Sequence, residues 1–376
     1  MHHMSASVAK ELPRPPRLNP PPRCMLQPPA TRSRRATLKH LLLGSLAASP
    51  LFPPSTHASS PPNPSVDAKP PATPSAPSPD VTFYVMADPQ IHLDKWGTAG
   101  TEATIQTLNN LPGKPFPLGG TVDEPRGVII AGDLVDVVDD PRHWRCYERF
   151  FDPSGNALLR HRVFEGIGNH DLSPASASGF SDVQRQVIER HRRRQGPEKI
   201  HYDRHHYHYA WNWGPLHLVQ LNLFPGQSPR PVYDREAPWN NPLHSLEFLR
   251  ETLRQQVGDS GRPVILIWHY GLRGWGLEKW WSPEDLAALK QVIAPYNIVL
   301  LLHGHEHAFA QYTWEGYPVF MCPSPQQDRD PRTPEIESTA KGFLVVRLRE
   351  NLLQLAHHDH TGWRESWQQP ISLGRP

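Results

Sequence analysis

Arg162-Val163-Phe164-Glu165-Gly166-Ile167-Gly168-Asn169-His170-Asp171 is the stretch whose reading decides the fold. An apolar, β-prone run ends in three chemically capable side chains on one tight turn. Asn and Asp are ordinary turn residues, so the tetrapeptide gains its weight from company. Residues 81–87 run into Asp88-Pro89-Gln90, and residues 127–131 into Gly132-Asp133. Residues 264–268 end at His269, and residues 298–302 lead into His303-Gly304-His305-Glu306-His307. Five buried-looking strands thus finish in Asp, Asn or His. Open α/β sheets place their ligand sites at such carboxyl ends.

Helical stretches alternate with these strands. Residues 98–108, 141–151, 181–194, 243–257 and 283–293 have helical composition or spacing. In residues 141–151 the stripe Trp144, Tyr147, Phe150 and Phe151 predicts a core-facing side. Arg192-Arg193-Arg194 reads as a solvated helix end, and residues 173–179 as a small-residue loop. Residues 201–209, His-Tyr-Asp-Arg-His-His-Tyr-His-Tyr, alternate into residues 210–214 and then 216–221, which predicts a hairpin. Its plain reading is an antiparallel pair with a wet polar face. The sharper reading is that Arg204, His205 and His206 line the substrate entrance. Trp275, Trp280 and Trp281 fall in the loop after His269, walling a cleft or packing. Residues 317–321, 342–348 and 352–356 predict strands of a second sheet. Strand–helix alternation followed by a run of strands predicts a mixed α/β domain of the α+β type.

The 376 residues are 38% hydrophobic with a formal net charge of +2, enough for a sizeable core and no charge argument for nucleic acid. Proline is local in its excess: 19 of the 44 precede Asp80. Residues 1–32 are Pro/Arg-rich without an apolar period and read as a disordered extension. Residues 33–58 follow the order of an export signal: basic Arg34-Arg35 and Lys39, an apolar run over 41–48, then the small-residue site Thr56-His57-Ala58. The paired arginines resemble a twin-arginine signal, with Thr37 where Phe is frequent; a basic surface helix is the alternative. Met25 is an alternative start. The apolar run is too short to cross a bilayer, so the mature chain is expected to be periplasmic or secreted without a transmembrane span. Residues 59–79 form a Pro/Ser/Ala-rich linker, and residues 80–376 the catalytic domain. Cys24, Cys146 and Cys322 include no C-x-x-C pair, which argues against a thiolate zinc site; Cys146 and Cys322 are left free to pair after export.

As an ordered set, Asp88-Pro89-Gln90, Gly132-Asp133, Gly168-Asn169-His170-Asp171, His269 and Gly304-His305-Glu306-His307 resemble the calcineurin-like metallophosphoesterase superfamily over residues 81–310. Gln90 stands where the family usually has His, and the chain resembles the members with Asp-Pro-Gln. The resemblance implies two packed mixed β-sheets flanked by helices, holding two metal ions. Phosphate-ester hydrolysis needs a nucleophile, charge neutralisation and protonation of the leaving oxygen. Two ions about 3.5–4 Å apart supply the first two by acidifying a bridging water and clamping phosphate oxygens. Imidazole suits Fe or Zn, and oxygen ligands suit Mn. On the resemblance, Asp88 and His307 serve the first ion, Asp133 bridges, and Asn169, His269 and His305 serve the second. Gln90 would be a weaker amide ligand of the first ion or a partner of bound water. His170 would bind phosphate or protonate the leaving group, with Asp171 orienting it and His303 an outer partner. Purple acid phosphatases carry a Tyr three residues after the bridging Asp. Here that residue is Asp136, so no tyrosinate colour is expected.

The expected function is an exported metal-dependent phosphoesterase, favouring a monoester of a small molecule or lipid headgroup, working as a monomer and without nucleic-acid binding. A phosphodiesterase on the same site is the first alternative. The second is a non-catalytic phosphate-binding protein weakened at the first metal by Gln90.

Overall fold

The computed structural model describes residues 80–172, 182–227, 238–326 and 341–374. The extension, the export signal, the linker and the small-residue loop at 173–179 lie outside them. The strands are β1 (Val81–Met86), β2 (Val128–Ile130), β3 (Val163–Glu165), β4 (His201–Tyr202), β5 (Tyr209–Trp213), β6 (Leu216–Gln220), β7 (Val264–Ile267), β8 (Ile298–His303), β9 (Ala310–Trp314), β10 (Tyr317–Met321), β11 (Phe343–Arg349), β12 (Leu352–Asp359) and β13 (Gly362–Pro370). The helices are α1 (Ala99–Asn110), α2 (Pro141–Phe150), α3 (Asp182–Arg193), α4 (Ser245–Thr252), α5 (Gly274–Trp280) and α6 (Pro283–Ile293). Six strands form one sheet in the order β13-β12-β11-β1-β2-β3, and seven form the other as β4-β5-β6-β7-β8-β10-β9. In the first sheet the parallel strands β1-β2-β3 form one side, with antiparallel β11, β12 and β13 on the other; in the second a parallel middle, β6-β7-β8-β10, is edged by antiparallel strands.

Side-chain alternation builds the layers. Val81, Phe83 and Val85 of β1 join Trp211, Trp213, Ile265, Ile267, Leu344 and Val346 in one buried cluster between the sheets. Tyr84 and Met86, pointing the other way, pack with Ile105 and Leu108 of α1 and Tyr147 and Phe150 of α2. Odd and even positions therefore enter two different cores, which is why β1 is buried on both faces and reads as a continuous apolar run. The expected stripe on α2 is in place: Trp144, Tyr147, Phe150 and Phe151 are all buried. Local chemistry fixes the helix starts. Asp140 accepts the Arg142 N–H ahead of Pro141, and Ser282 accepts the Asp285 N–H ahead of Pro283, both capped starts with proline in the first turn.

Several expectations need correction. The strands at 317–321, 342–348 and 352–356 are not one second sheet. β10 lies beside β8, whereas β11 pairs with β1 and β12 with β11. Trp280 is not in a loop; it closes helix α5, and Trp281 follows it. The helix over 243–257 is α4 running into a wider-wound turn at Leu253–Val257. The hairpin is β5–β6, but its supposed wet face is mostly buried, only Asn212 being exposed. Cys146 and Cys322 are buried in two different clusters, and the expected bond between them does not form.

Candidate metal centre

The carboxyl ends of β1, β2, β3, β7 and β8 meet at one point. The turns that follow are wound unusually: Asp88, Gln90, Asp133, His305 and His307 have φ of 53°, 36°, 53°, 82° and 54°. Asp and His adopt the left-handed region more readily than branched residues, and such strain gathers at functional sites. Backbone bonds lock the turns together: Asp88 N–H donates to Gly132 O (3.0 Å) and Gln90 N–H to Asp133 O (2.9 Å). Side chains fasten them from behind. His305 N–H donates to Asp88 Oδ2 (2.9 Å), His170 N–H to Asp133 Oδ1 (2.8 Å), and Ser324 Oγ to Asp88 O (2.7 Å). Gly168 is required where it stands, since a Cβ there would lie 2.1 Å from Asp133 Oδ1.

Two groups of ligand atoms result, Asp88–Asp133–His307 and Asp133–His269–His305, each within 4.8 Å and sharing Asp133. His269 donates its Nδ1–H to Ala131 O (2.8 Å), which fixes the tautomer and turns Nε2 inward. Around that Nε2 lie Asn169 Oδ1 at 3.0 Å, Asp133 Oδ2 at 3.2 Å, His305 Nδ1 at 3.3 Å and Asp88 Oδ1 at 4.0 Å. His307 Nε2 is 3.7 Å from Asp88 Oδ1. Asp88 Oδ1 is buried without a hydrogen-bond partner among the described residues, a costly arrangement for a carboxylate unless a cation fills the space its neighbours surround.

The electrostatics agree. Burial and the charge of Asp133 push the Asp88 carboxyl well above its usual range, against the pull of His269. Burial acts upward on Asp133 as well, but His269 and His170 outweigh it and hold that carboxyl below its usual range. Burial opposes charge on His269, yet Asp133 and Asp88 lift it to about 9. Burial and the His269 cation drive His305 well down. A cluster that recruits a proton onto one imidazole and strands a carboxylate beside it carries surplus negative potential. Its mixed Asp, Asn and His donors suit Fe, Zn or Mn, and they fit a dinuclear site.

Three of the expected roles move. Asp171 does not serve as the support of the His170 ring. It is buried, accepting from Leu134 N–H (2.9 Å), Val135 N–H (3.2 Å) and Gly168 N–H (2.9 Å), and so braces the turn itself. Burial and Asp133 raise its carboxyl to about 7. The His170 ring is held by Asp136 instead, its Nδ1 lying 3.0 Å from Asp136 O and 3.3 Å from Asp136 Oδ1. The sequence signal for Asp136 was a lone charge in the apolar run Leu134-Val135-Asp136-Val137-Val138. Gln90 is buried and points its amide nitrogen at Asp133 Oδ2 (3.4 Å), placing it against the bridging carboxylate. Arg204 and His205 are exposed and bond to each other (2.8 Å), while His206 stacks on Tyr202 at 4.9 Å. Their contacts lie in the β4–β5 turn and with His191 of α3, which donates to His206 O (2.8 Å). His303 is bonded to Tyr312 Oη (2.7 Å) and Gly304 O (2.9 Å), and burial takes it down to about 4. Trp280, read as a wall or filler, donates its indole N–H to His305 Nε2 (3.0 Å) and stacks on Tyr270 at 4.3 Å.

Two mixed sheets carrying two carboxylates, an amide and three imidazoles at their strand ends define an α/β sandwich whose ligand set fits a dinuclear metal site. A sequence profile of the calcineurin-like phosphoesterase family matches residues 81–309, over half the chain, and the chain belongs to that family: it is a metal-dependent phosphoric ester hydrolase. Similar solved structures include GAP50, the anchor in the inner membrane complex of Plasmodium (13% identity, 78% of this chain and 89% of that one, TM-score 0.49). A dimetal phosphatase from Danio rerio is similar at 14% identity, covering 78% and 99%, with a TM-score of 0.47. PhoD is similar at 12% identity, covering 81% and 74%, with a TM-score of 0.48. None of the curated proteins matches the chain. Among the described residues no helix is long and apolar enough to cross a membrane.

Proposed function

We propose that this enzyme hydrolyses phosphate monoesters of small molecules or lipid headgroups, with His170 protonating the leaving oxygen. The observation carrying the reading is the placement of His170. Its ring is 37% exposed, tied at Nδ1 to Asp136, while its backbone N–H holds the bridging Asp133. That leaves Nε2 as the proton-bearing atom facing the substrate side. Metal ions held by Asp88, Asp133, Asn169, His269, His305 and His307 would supply Lewis acidity toward the phosphate oxygens and acidify the attacking water. Asp133, His269 and Asn169 orient the centre, and Asp136 keeps the acid in line. Asp88 and Asp133 are the only carboxylates among the proposed ligands, so two divalent ions would leave the centre net positive and attractive to a phosphate anion. The export signal read at residues 33–58 supports action in the periplasm or outside the cell.

The test is turnover of 4-nitrophenyl phosphate beside bis-4-nitrophenyl phosphate by the full chain reloaded with Mn, Fe or Zn. A monoester-to-diester ratio well above one supports the proposal, and the reverse ratio would replace it with a phosphodiesterase. Binding of metal and inorganic phosphate without turnover of either ester would favour the binding-protein reading, for which the Gln90–Asp133 contact is the supporting feature.

A further inference from the structure

We propose that His92 is a positioning residue that, through Asp136, holds the imidazole of His170 in its proton-donating orientation; the inference rests on the acid role given to His170 above. Asp136 stands between two histidines. Its backbone O is 3.0 Å and its Oδ1 3.3 Å from His170 Nδ1, and its Oδ2 is 3.7 Å from His92 Nε2. The last distance is a charge contact and not a hydrogen bond, but its geometry is fixed from both sides. Ile91 N–H donates to Leu134 O (3.2 Å) and Asp136 N–H donates to Ile91 O (3.2 Å), so the backbones bearing His92 and Asp136 are tied side by side. Lys95 N–H donates to His92 Nδ1 (3.2 Å). The neutral ring then carries its proton on Nε2, facing the carboxylate. Its plane is held between Trp96 at 5.3 Å and His143 at 4.8 Å. Exposure is lowest at Asp136, 12%, and higher at His92, 19%, and His170, 37%, so the carboxylate between the two rings is the shielded member of the line.

In the step, the attacking water's oxygen bonds to phosphorus and gives up its proton to solvent, the bond from phosphorus to the leaving oxygen breaks, and the proton on His170 Nε2 passes to that oxygen while Nδ1–H stays on Asp136. Without His92 the Asp136 carboxylate is free to turn away from Nδ1, which leaves the ring on the backbone carbonyl alone and loosens its aim.

The experiment compares phenyl phosphate, whose leaving group needs the proton, with 4-nitrophenyl phosphate, whose leaving group needs it little. The zinc-loaded full chain is used with His92→Ala and His92→Gln, alongside imidazole 15N–1H spectra of His170. His92→Ala should lower kcat on phenyl phosphate about 10- to 100-fold more than on 4-nitrophenyl phosphate, with KM and zinc content unchanged. Its His170 Nδ1–H resonance should broaden through solvent exchange. His92→Gln, which keeps an N–H donor at similar reach, should restore both. Equal losses on the two esters, or a His170 resonance that does not respond to His92→Ala, would overturn the inference. Should the wild type hydrolyse neither ester, the phosphoesterase reading fails on that result, while the resonance still decides whether His92 positions His170.

Discussion

Arg190→Met strips the counter-charge from Glu165, the last residue of β3 and four positions before Asn169. Glu165 is fully buried and accepts from Arg190 Nε (2.6 Å), Arg190 Nη2 (3.0 Å) and Tyr147 Oη (3.0 Å). Burial raises its pKa, but the Arg190 charge and hydrogen bonds outweigh that and hold the carboxyl below its usual range. Removing one partner of such a pair leaves a buried charge uncompensated, a loss of about 3–5 kcal/mol. The sign with pH follows. In the wild type the contribution is complete above the ordinary glutamate pKa of 4.5 and is lost as pH falls through the depressed folded value. In the variant the largest lowering influence is gone and only the weaker pulls of His191 and Arg194 oppose burial, so the folded carboxyl moves above the ordinary value and the folded state takes up a proton before the unfolded chain does. The gap between the two proteins must therefore narrow from pH 7 to pH 5. Urea unfolding with linear extrapolation reads both values. Arg190→Met with Glu165→Gln should recover much of the loss, because no charge is then stranded. A loss under about 1 kcal/mol at pH 7, or the same loss at both pH values, would refute the buried pairing. So would a double variant no more stable than the single one.

Gly168→Ala forces a Cβ onto the Asp133 carboxylate and should weaken metal binding about 10- to 100-fold, read by competition with a chelator; unchanged affinity would mean the turn is loose. Gln90→His replaces an amide by a better ligand for Fe or Zn and should slow metal loss to chelator, whereas faster loss would show that the Gln90–Asp133 contact matters more than ligand strength. Burial lowers His191 and His217 from 6.5 to about 4. Each therefore favours the folded state above pH 6.5 and withdraws about 3 kcal/mol as pH falls from there toward 4. His191→Gln should lose less stability than the wild type between pH 7 and pH 5 in urea titrations, and parallel losses would contradict the assignment.

The strand ends were legible because hydrophobic runs and the polar residues that stop them are local signals. Asp88, Asp133, Asn169, His269, His305 and His307 could be picked out in order for that reason, and the structure brings them to one point. Partnership between strands is not local. Nothing in Phe343–Arg349 says that it joins β1 rather than β10, so the late strands were grouped wrongly. β9 and β13 escaped notice because they alternate half-buried and exposed positions, as in Gly-Trp-Arg-Glu-Ser-Trp-Gln-Gln-Pro, and the apolar run that marks a core strand is missing. The partner of the His170 ring was assigned to Asp171 for a related reason. Adjacency in sequence suggested Asp171 for the His170 ring, but the turn directs that carboxylate inward to three backbone amides. Asp136 reaches the ring from another loop. The histidine-rich turn at 203–206 looked functional by composition, yet Asp203 organises it by accepting the N–H groups of His205, Tyr207 and His208.

The central claim is that Asp133 joins two metal ions in a hydrolytic site. Elemental analysis and 4-nitrophenyl phosphate turnover of the full chain, stripped and then reloaded with zinc or manganese, test it against Asp133→Asn prepared in parallel. Two ions per wild-type chain, turnover that returns only with metal, and an Asp133→Asn chain that folds but binds fewer ions without turnover are the predicted results. An Asp133→Asn chain that keeps two ions and full turnover would contradict the account.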